Sequence, residues 1–347
     1  MKKIFFTLVT ALAVICACTT EADYGTGIRP DGPSYVPKDC VFQTRGLVNT
    51  TVADAPDKYP SFKYKDYAPL SDKDVNVYYY IPTEGDVASM PVLFSFTGAE
   101  REGNTQLDAW QLFAETYQFV VINPQFTKED WSENEYQFGG VTEKKGSENV
   151  RSKELWTYNV VESLFDYWLK EVDGTQKGYY MFGHSAGAQF VSRMVMAMPE
   201  ARVLKAVAAN PSTWPWPVAL ESNNTSYGWP YSIKDLPVGK DDDLLKQVFS
   251  KKLYIQVGTN DTDTESLDVS AAANAQGKRR YDRGQNYYAK CKSVAEQKGI
   301  ECTFELAEVE GVGHSTWHMV YGYYKPTATK VDVESLGPNS AFILLFN

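Results

Sequence analysis

Gly183-His184-Ser185-Ala186-Gly187 places a serine between two glycines, a pattern suited to nucleophilic attack on an acyl carbon. The apolar run Tyr179-Tyr180-Met181-Phe182 precedes it, and a helical pattern that Pro199 closes follows it. That context is strand, sharp turn and helix, with Ser185 at the apex. Glycines flank such a serine because strand and helix approach too closely there for side chains. The tight turn pushes the hydroxyl out of the sheet, and the helix N-terminus behind it favours developing negative charge.

A serine of this kind needs an acid and then a histidine later in the chain. Leu253-Tyr254-Ile255-Gln256-Val257 reads as a strand and ends in Gly258-Thr259-Asn260-Asp261-Thr262-Asp263. A carboxylate just beyond a strand's C-terminal end lies where open α/β sheets gather functional groups. Asp261 is preferred as the acid, leaving Asp263 to a turn or cap. Thr303-Phe304-Glu305-Leu306 reads as a further strand, leading through Gly311-Val312-Gly313 to His314. The chain has only three histidines. His184 lies inside the turn and points away from Ser185, and His318 follows His314 by one helical turn. His314 is therefore the expected general base. The oxyanion donors are expected at the Ala186 N–H and at the Ala99 (or Gly98) N–H, after the strand Pro91 to Phe96.

These residues need a scaffold. Strands are expected at Asp74–Ile81, Pro91–Phe96, Phe119–Ile122, Tyr179–Phe182, Val203–Ala208, Leu253–Val257 and Thr303–Leu306. Helices are expected over Thr105–Tyr117, over Lys153–Val172 and after Ser185. In the second, Trp156, Val160, Leu164 and Trp168 recur at four-residue spacing, and Gly174 stops it. Alternating strands and helices imply an α/β fold, a mostly parallel sheet with helices on both faces. Two insertions, Asp130–Asn149 and Asn210–Gly239, follow strand ends on the triad's side. The second carries Trp214, Trp216 and Trp229, which are expected to line the substrate site as a lid or stacking surface; packing of the loop against the body is the competing reading.

The 347-residue chain carries a formal net charge of −10, which argues against nucleic acid and anionic membrane surfaces as partners. Lys2 and Lys3 precede an uncharged apolar run, Ile4 to Ala17, as in an export signal. Ile15-Cys16-Ala17-Cys18 resembles a bacterial lipobox, with Cys18 as the lipid-bearing residue. The expected order is a signal peptide over 1–17, a tether over 18–32 and one catalytic domain over 33–347, opening with an extension over 33–70. The only membrane contact expected is the N-terminal lipid. Glu21 and Asp23, soon after Cys18, point to the outer membrane or cell surface. Of the remaining cysteines, Cys291 and Cys302 flank one turn, and a disulfide between them fits an oxidising compartment.

Residues 75 to 320 resemble the α/β-hydrolase superfamily, and within it secreted esterases akin to polyhydroxybutyrate depolymerases, feruloyl esterases and acetyl xylan esterases. The resemblance rests on Gly183 to Phe190, on Asp261-Thr262-Asp263 and on Gly311-Val312-Gly313-His314. It also rests on Ala275-Gln276-Gly277 with Arg280 and Arg283. Many relatives carry His-Gly where this chain has Thr97-Gly98. The resemblance implies a serine esterase without cofactor or metal, acting on a small-molecule or polysaccharide ester. Two other readings share the scaffold: a serine peptidase, and an inactive carbohydrate-binding lipoprotein. A zinc site on His314 and His318 lacks the glutamate of an H-E-x-x-H motif.

Overall fold

The computed structural model of the protein describes residues 40–48, 58–264, 266–323 and 331–347. The expected signal peptide, the tether and Cys18 lie outside them, as does part of the 33–70 extension. The strands are β1 (Ser61–Tyr64), β2 (Val75–Tyr80), β3 (Val92–Phe96), β4 (Val120–Gln125), β5 (Tyr179–His184), β6 (Val203–Ala209), β7 (Leu220–Ser222), β8 (Thr225–Tyr227), β9 (Lys252–Gly258) and β10 (Glu305–Val309). The helices are α1 (Thr105–Tyr117), α2 (Glu133–Tyr136), α3 (Tyr158–Glu171), α4 (Ala186–Ala197), α5 (Pro237–Lys240), α6 (Asp242–Phe249), α7 (Ala271–Gln276), α8 (Arg280–Lys298), α9 (Thr316–Tyr321) and α10 (Ala341–Phe346).

Eight strands form one sheet in the order β1-β2-β4-β3-β5-β6-β9-β10. From β4 to β10 every pairing is parallel, while β1 and β2 close one edge antiparallel. The parallel part needs both faces covered, and its strands read accordingly: β3 and β5 are buried at every position. Side chains alternate between two cores. Tyr179 and Met181 of β5 join one with Phe94, Trp168 and Phe190, while Tyr180 and Phe182 join the other with Trp110, Phe113 and Phe342.

Helix α3 buries Val160, Leu164 and Trp168 on one stripe, the four-residue spacing seen in the sequence. It begins at Tyr158 rather than Lys153, because Lys153–Leu155 form a separate 3-10 turn. Part of the expected N-terminal extension is sheet: β1 pairs with β2, and Phe42 packs against Phe62, Tyr79 and Trp168 beside it. The Asn210–Gly239 insertion contains the short hairpin β7–β8, whose three-residue strands are too brief for a periodic signal. The Cys291–Cys302 disulfide that an oxidising compartment would permit is not formed; both are buried free thiols. Among the described residues no helix is long and apolar enough to cross a membrane.

The sheet centre is held at a backbone-to-backbone contact. A Cβ on Gly183 would collide with the Gly187 carbonyl, and one on Gly187 would collide with the Phe96 and Thr97 carbonyls. Gly187→Ala should therefore cost about 1–3 kcal/mol through overpacking. Urea denaturation would read this as a lower midpoint at unchanged slope; an unshifted midpoint would show that α4 has room to move.

Candidate active site

Ser185 sits between β5 and α4 at φ 57° and ψ −115°, a conformation that non-glycine residues seldom adopt. Its amide donates to the Ala209 carbonyl at 2.9 Å, and its carbonyl accepts from Gln189 at 3.1 Å, so the turn is tied on both sides. From Tyr179 to Met198 every residue is buried except Ser185. The side chain makes no capping bond to the amides of its own helix. The strained turn thus lifts a single hydroxyl out of a packed strand and a packed helix.

Asp261 follows β9 and is wholly buried, with Oδ2 2.7 Å from Nδ1 of His314. Its other oxygen, Oδ1, accepts from Arg280 Nη1 at 3.2 Å. Asp263 lies outside the His314 pairing and gives Arg280 its backbone carbonyl, at 2.8 Å. Between the two candidates, geometry pairs the histidine with Asp261. The His314 ring rests on His184, the residue before Ser185, with ring centroids 4.4 Å apart. Sequence order separates these residues by more than a hundred positions, and the sheet brings them to one rim.

The loops that carry the pair are fastened to the strand ends. Asn210, buried at the end of β6 and at φ 52°, accepts from the Gly258 amide at 2.8 Å and donates to the Gly313 carbonyl at 3.3 Å. It therefore links the acid's strand to the residue before His314. The Asn260 amide donates to the Val312 carbonyl at 2.9 Å, a second tie between the two loops. Sequence reasoning passed over Asn210; its only signal is an amide side chain directly after an apolar strand and before Pro211.

On the opposite side of Ser185, a Cβ built on Gly98 would stand 3.8 Å from the serine Cβ. Gly98 is thus the loop residue against the serine, whereas Ala99 is exposed. Tyr136, fully buried on α2, donates to the Thr97 carbonyl at 2.6 Å. Burial raises the Tyr136 phenol far above its ordinary value, so it remains a donor. The Arg101 guanidinium lies over its ring at 4.8 Å. Thr97 thereby gains a support from the first insertion that the sequence did not announce.

The three tryptophans expected to line the substrate site differ in their surroundings. Trp214 is buried and stacks on Tyr287 at 4.8 Å, and Trp229 is buried with its indole N–H on the Phe138 carbonyl. Both pack the second insertion against the body, and Trp229 also borders a surface cleft beside Tyr227 and Tyr231. Trp216 is half-buried, with the Lys290 ammonium over its ring at 5.2 Å. The Ala275-Gln276-Gly277 run also takes a structural meaning. Gln276 accepts from the Trp214 amide at 2.8 Å and donates to its carbonyl at 2.6 Å. Arg283 donates to the carbonyls of Ser212, Asp268 and Gly277.

His184 is a neutral imidazole. Burial holds it well below its ordinary value, and His314 and Arg280 add to the effect. An unfolded chain takes up a proton there near pH 6.5 that the folded one does not, so stability falls as pH drops through that value. The expected slope is about 1.4 kcal/mol per pH unit for this one proton. Urea midpoints between pH 7 and 5 should fall less steeply for His184→Phe than for the native chain; equal slopes would contradict this.

No family model and no curated protein matches the chain. Solved structures do. Poly(aspartic acid) hydrolase-1 from Sphingomonas sp. KT-1 is 31% identical, with 74% of this chain and 93% of that chain covered and a TM-score of 0.66. A poly(3-hydroxybutyrate) depolymerase from Bordetella parapertussis is 27% identical, with 75% and 86% covered and a TM-score of 0.67. A parallel sheet carrying a serine turn, an acid loop and a histidine loop at one rim, together with a 31% identical hydrolase spanned over most of its length, assigns the chain to the α/β-hydrolase superfamily.

Proposed function

We propose that this hydrolase is a serine esterase. In this reading the Ser185 hydroxyl attacks an ester carbonyl while Nε2 of His314 takes its proton. The Ala186 amide and an amide of the Gly98–Ala99 loop hold the oxyanion. Collapse of the tetrahedral intermediate breaks the ester C–O bond, and the alcohol leaves with the proton from His314. Water, deprotonated by the same imidazole, then attacks the acyl-enzyme and releases the acid. Asp261 keeps the Nδ1 tautomer in place and stabilises the imidazolium.

One observation carries the proposal: the 2.7 Å contact from Asp261 to a His314 ring that rests on the residue next to Ser185, the one side chain from Tyr179 to Met198 that is not buried. An uncharged ester fits the chain better than a polyanion, since the net charge is −10. A polysaccharide-borne ester draws support from a cleft of about 440 Å³. Its lining comes from the segments that follow β4, β6 and β9 and does not include Ser185, Asp261 or His314. Tyr227, Tyr231 and the hydroxyls of Ser226 and Ser270 line it, a mixture of ring faces and hydrogen-bonding groups suited to sugars. Export and anchoring through Cys18 belong to the same reading, as they would set the enzyme before such polymers.

A fluorophosphonate should add its phosphonyl mass to Ser185 and to no other residue, as mapped by peptide mass spectrometry. Ser185→Ala should lose both the label and at least about 10⁴-fold in p-nitrophenyl acetate turnover. A Ser185→Ala protein that turns over ester like the native chain ends the serine reading, and cleavage of peptides but not esters ends the esterase one. For the anchor, cells fed a radiolabelled fatty acid should label the native chain and not Cys18→Ser; label retained in the variant would remove the lipid assignment.

A further inference from the structure

The buried carboxylate of Asp261 has two partners, and only one of them is the histidine. Oδ2 faces His314, and Oδ1 faces Arg280, whose side chain is as deeply buried as the carboxylate itself. Arg280 opens α8, and the same Nη1 holds the Asp263 carbonyl at 2.8 Å, so the guanidinium grips the acid loop at two residues. We infer that Arg280 is a positioning residue of the triad, which aims the Asp261 carboxylate at Nδ1 of His314 and sets a permanent positive charge on its far side, and so governs how His314 accepts the serine proton. The inference rests on the serine-triad reading above.

The argument is one of charge. A buried carboxylate facing only a neutral imidazole is uncompensated, and several kcal/mol of desolvation then favour moving a proton into the pair. That proton goes to the imidazole as an ion pair, which disables it as a base. A permanent guanidinium on the far oxygen removes the need, because arginine stays charged in any buried setting compatible with folding. The imidazole is then released to its catalytic role, and the carboxylate still has a lone pair aimed at Nδ1 for the imidazolium that forms during attack. Other groups around the pair fit this balance. His184 on β5 lies against the His314 ring and is held neutral, and His318 follows one turn along α9. Arg283, one turn beyond Arg280, neighbours it and is engaged by the carbonyls of Ser212, Asp268 and Gly277.

The test is the pH profile of kcat/KM for p-nitrophenyl acetate in the native chain, Arg280→Met and Arg280→Lys. Arg280→Met should move the acid limb upward by about one pH unit, the order of shift that loss of a nearby charge produces. Arg280→Lys should return the limb to the native position even where kcat stays lower, since it restores charge without the two-point grip. Thermal melts of each variant report folding. Should Arg280→Met fail to fold, Arg280→Gln decides in its place: an acid limb raised by about one pH unit supports the inference, and a native acid limb with reduced kcat overturns it. An Arg280→Met protein that folds, is slowed and keeps the native acid limb also overturns it, leaving Arg280 a purely structural clamp. Failure of the triad reading looks different, because Ser185→Ala would then remain active whatever Arg280 does.

Discussion

Three backbone segments meet without side chains between them: the end of β3, the end of β5 and the first turn of α4. Gly183 and Gly187 allow that approach, and each would clash with a neighbouring carbonyl if it carried a Cβ. The approach forces Ser185 into positive φ, and the strain is sustained by the buried residues on both sides rather than by the serine itself. Everything else at the site is measured from this turn. The Gly98 loop flanks it because Gly187 lets α4 press on Phe96 and Thr97, and His314 reaches it because its ring rests on His184.

Around the turn, polar side chains do the work of fixing loops that have no sheet to hold them. Asn210 joins the acid loop to the histidine loop, Tyr136 holds the Thr97 carbonyl, and Gln276 pairs with both backbone groups of Trp214. Arg193, fully buried on α4, donates to the carbonyls of Pro230 and Thr213 and so fastens the second insertion to the helix behind the serine. Buried arginines suit this purpose, since one planar group with five donors can satisfy several loop carbonyls at once. Burial lowers Arg193 to about 10, which still leaves it charged at neutral pH.

The aromatic insertions show how loop tryptophans fasten a long segment to its scaffold. Trp214 and Trp229 sit among prolines and serines in a long loop after β6, the setting of a lid. In the fold they are the apolar ballast that lets such a loop pack, one stacked on Tyr287 and the other bonded through its indole to Phe138. A tryptophan in a loop carries no mark of which way it faces. That orientation depends on partners such as Tyr287, which lies more than seventy residues away in α8.

The candidate order serine, acid, histidine was legible because each residue follows an apolar strand or a glycine-marked loop, and those signals are local. The parallel sheet was legible for the same reason, as β3 and β5 are unbroken buried runs bounded by helix patterns. What only the tertiary structure decided is pairing: Asp261 over Asp263, Gly98 over Ala99 beside the serine, free thiols at Cys291 and Cys302, and Arg280 behind the acid. Strand and helix patterns arise from neighbours a few residues apart, so one sequence records them. The partner of a buried charge is settled by which distant loops are brought within about 3 Å, and nothing near Asp261 in the chain announces Arg280.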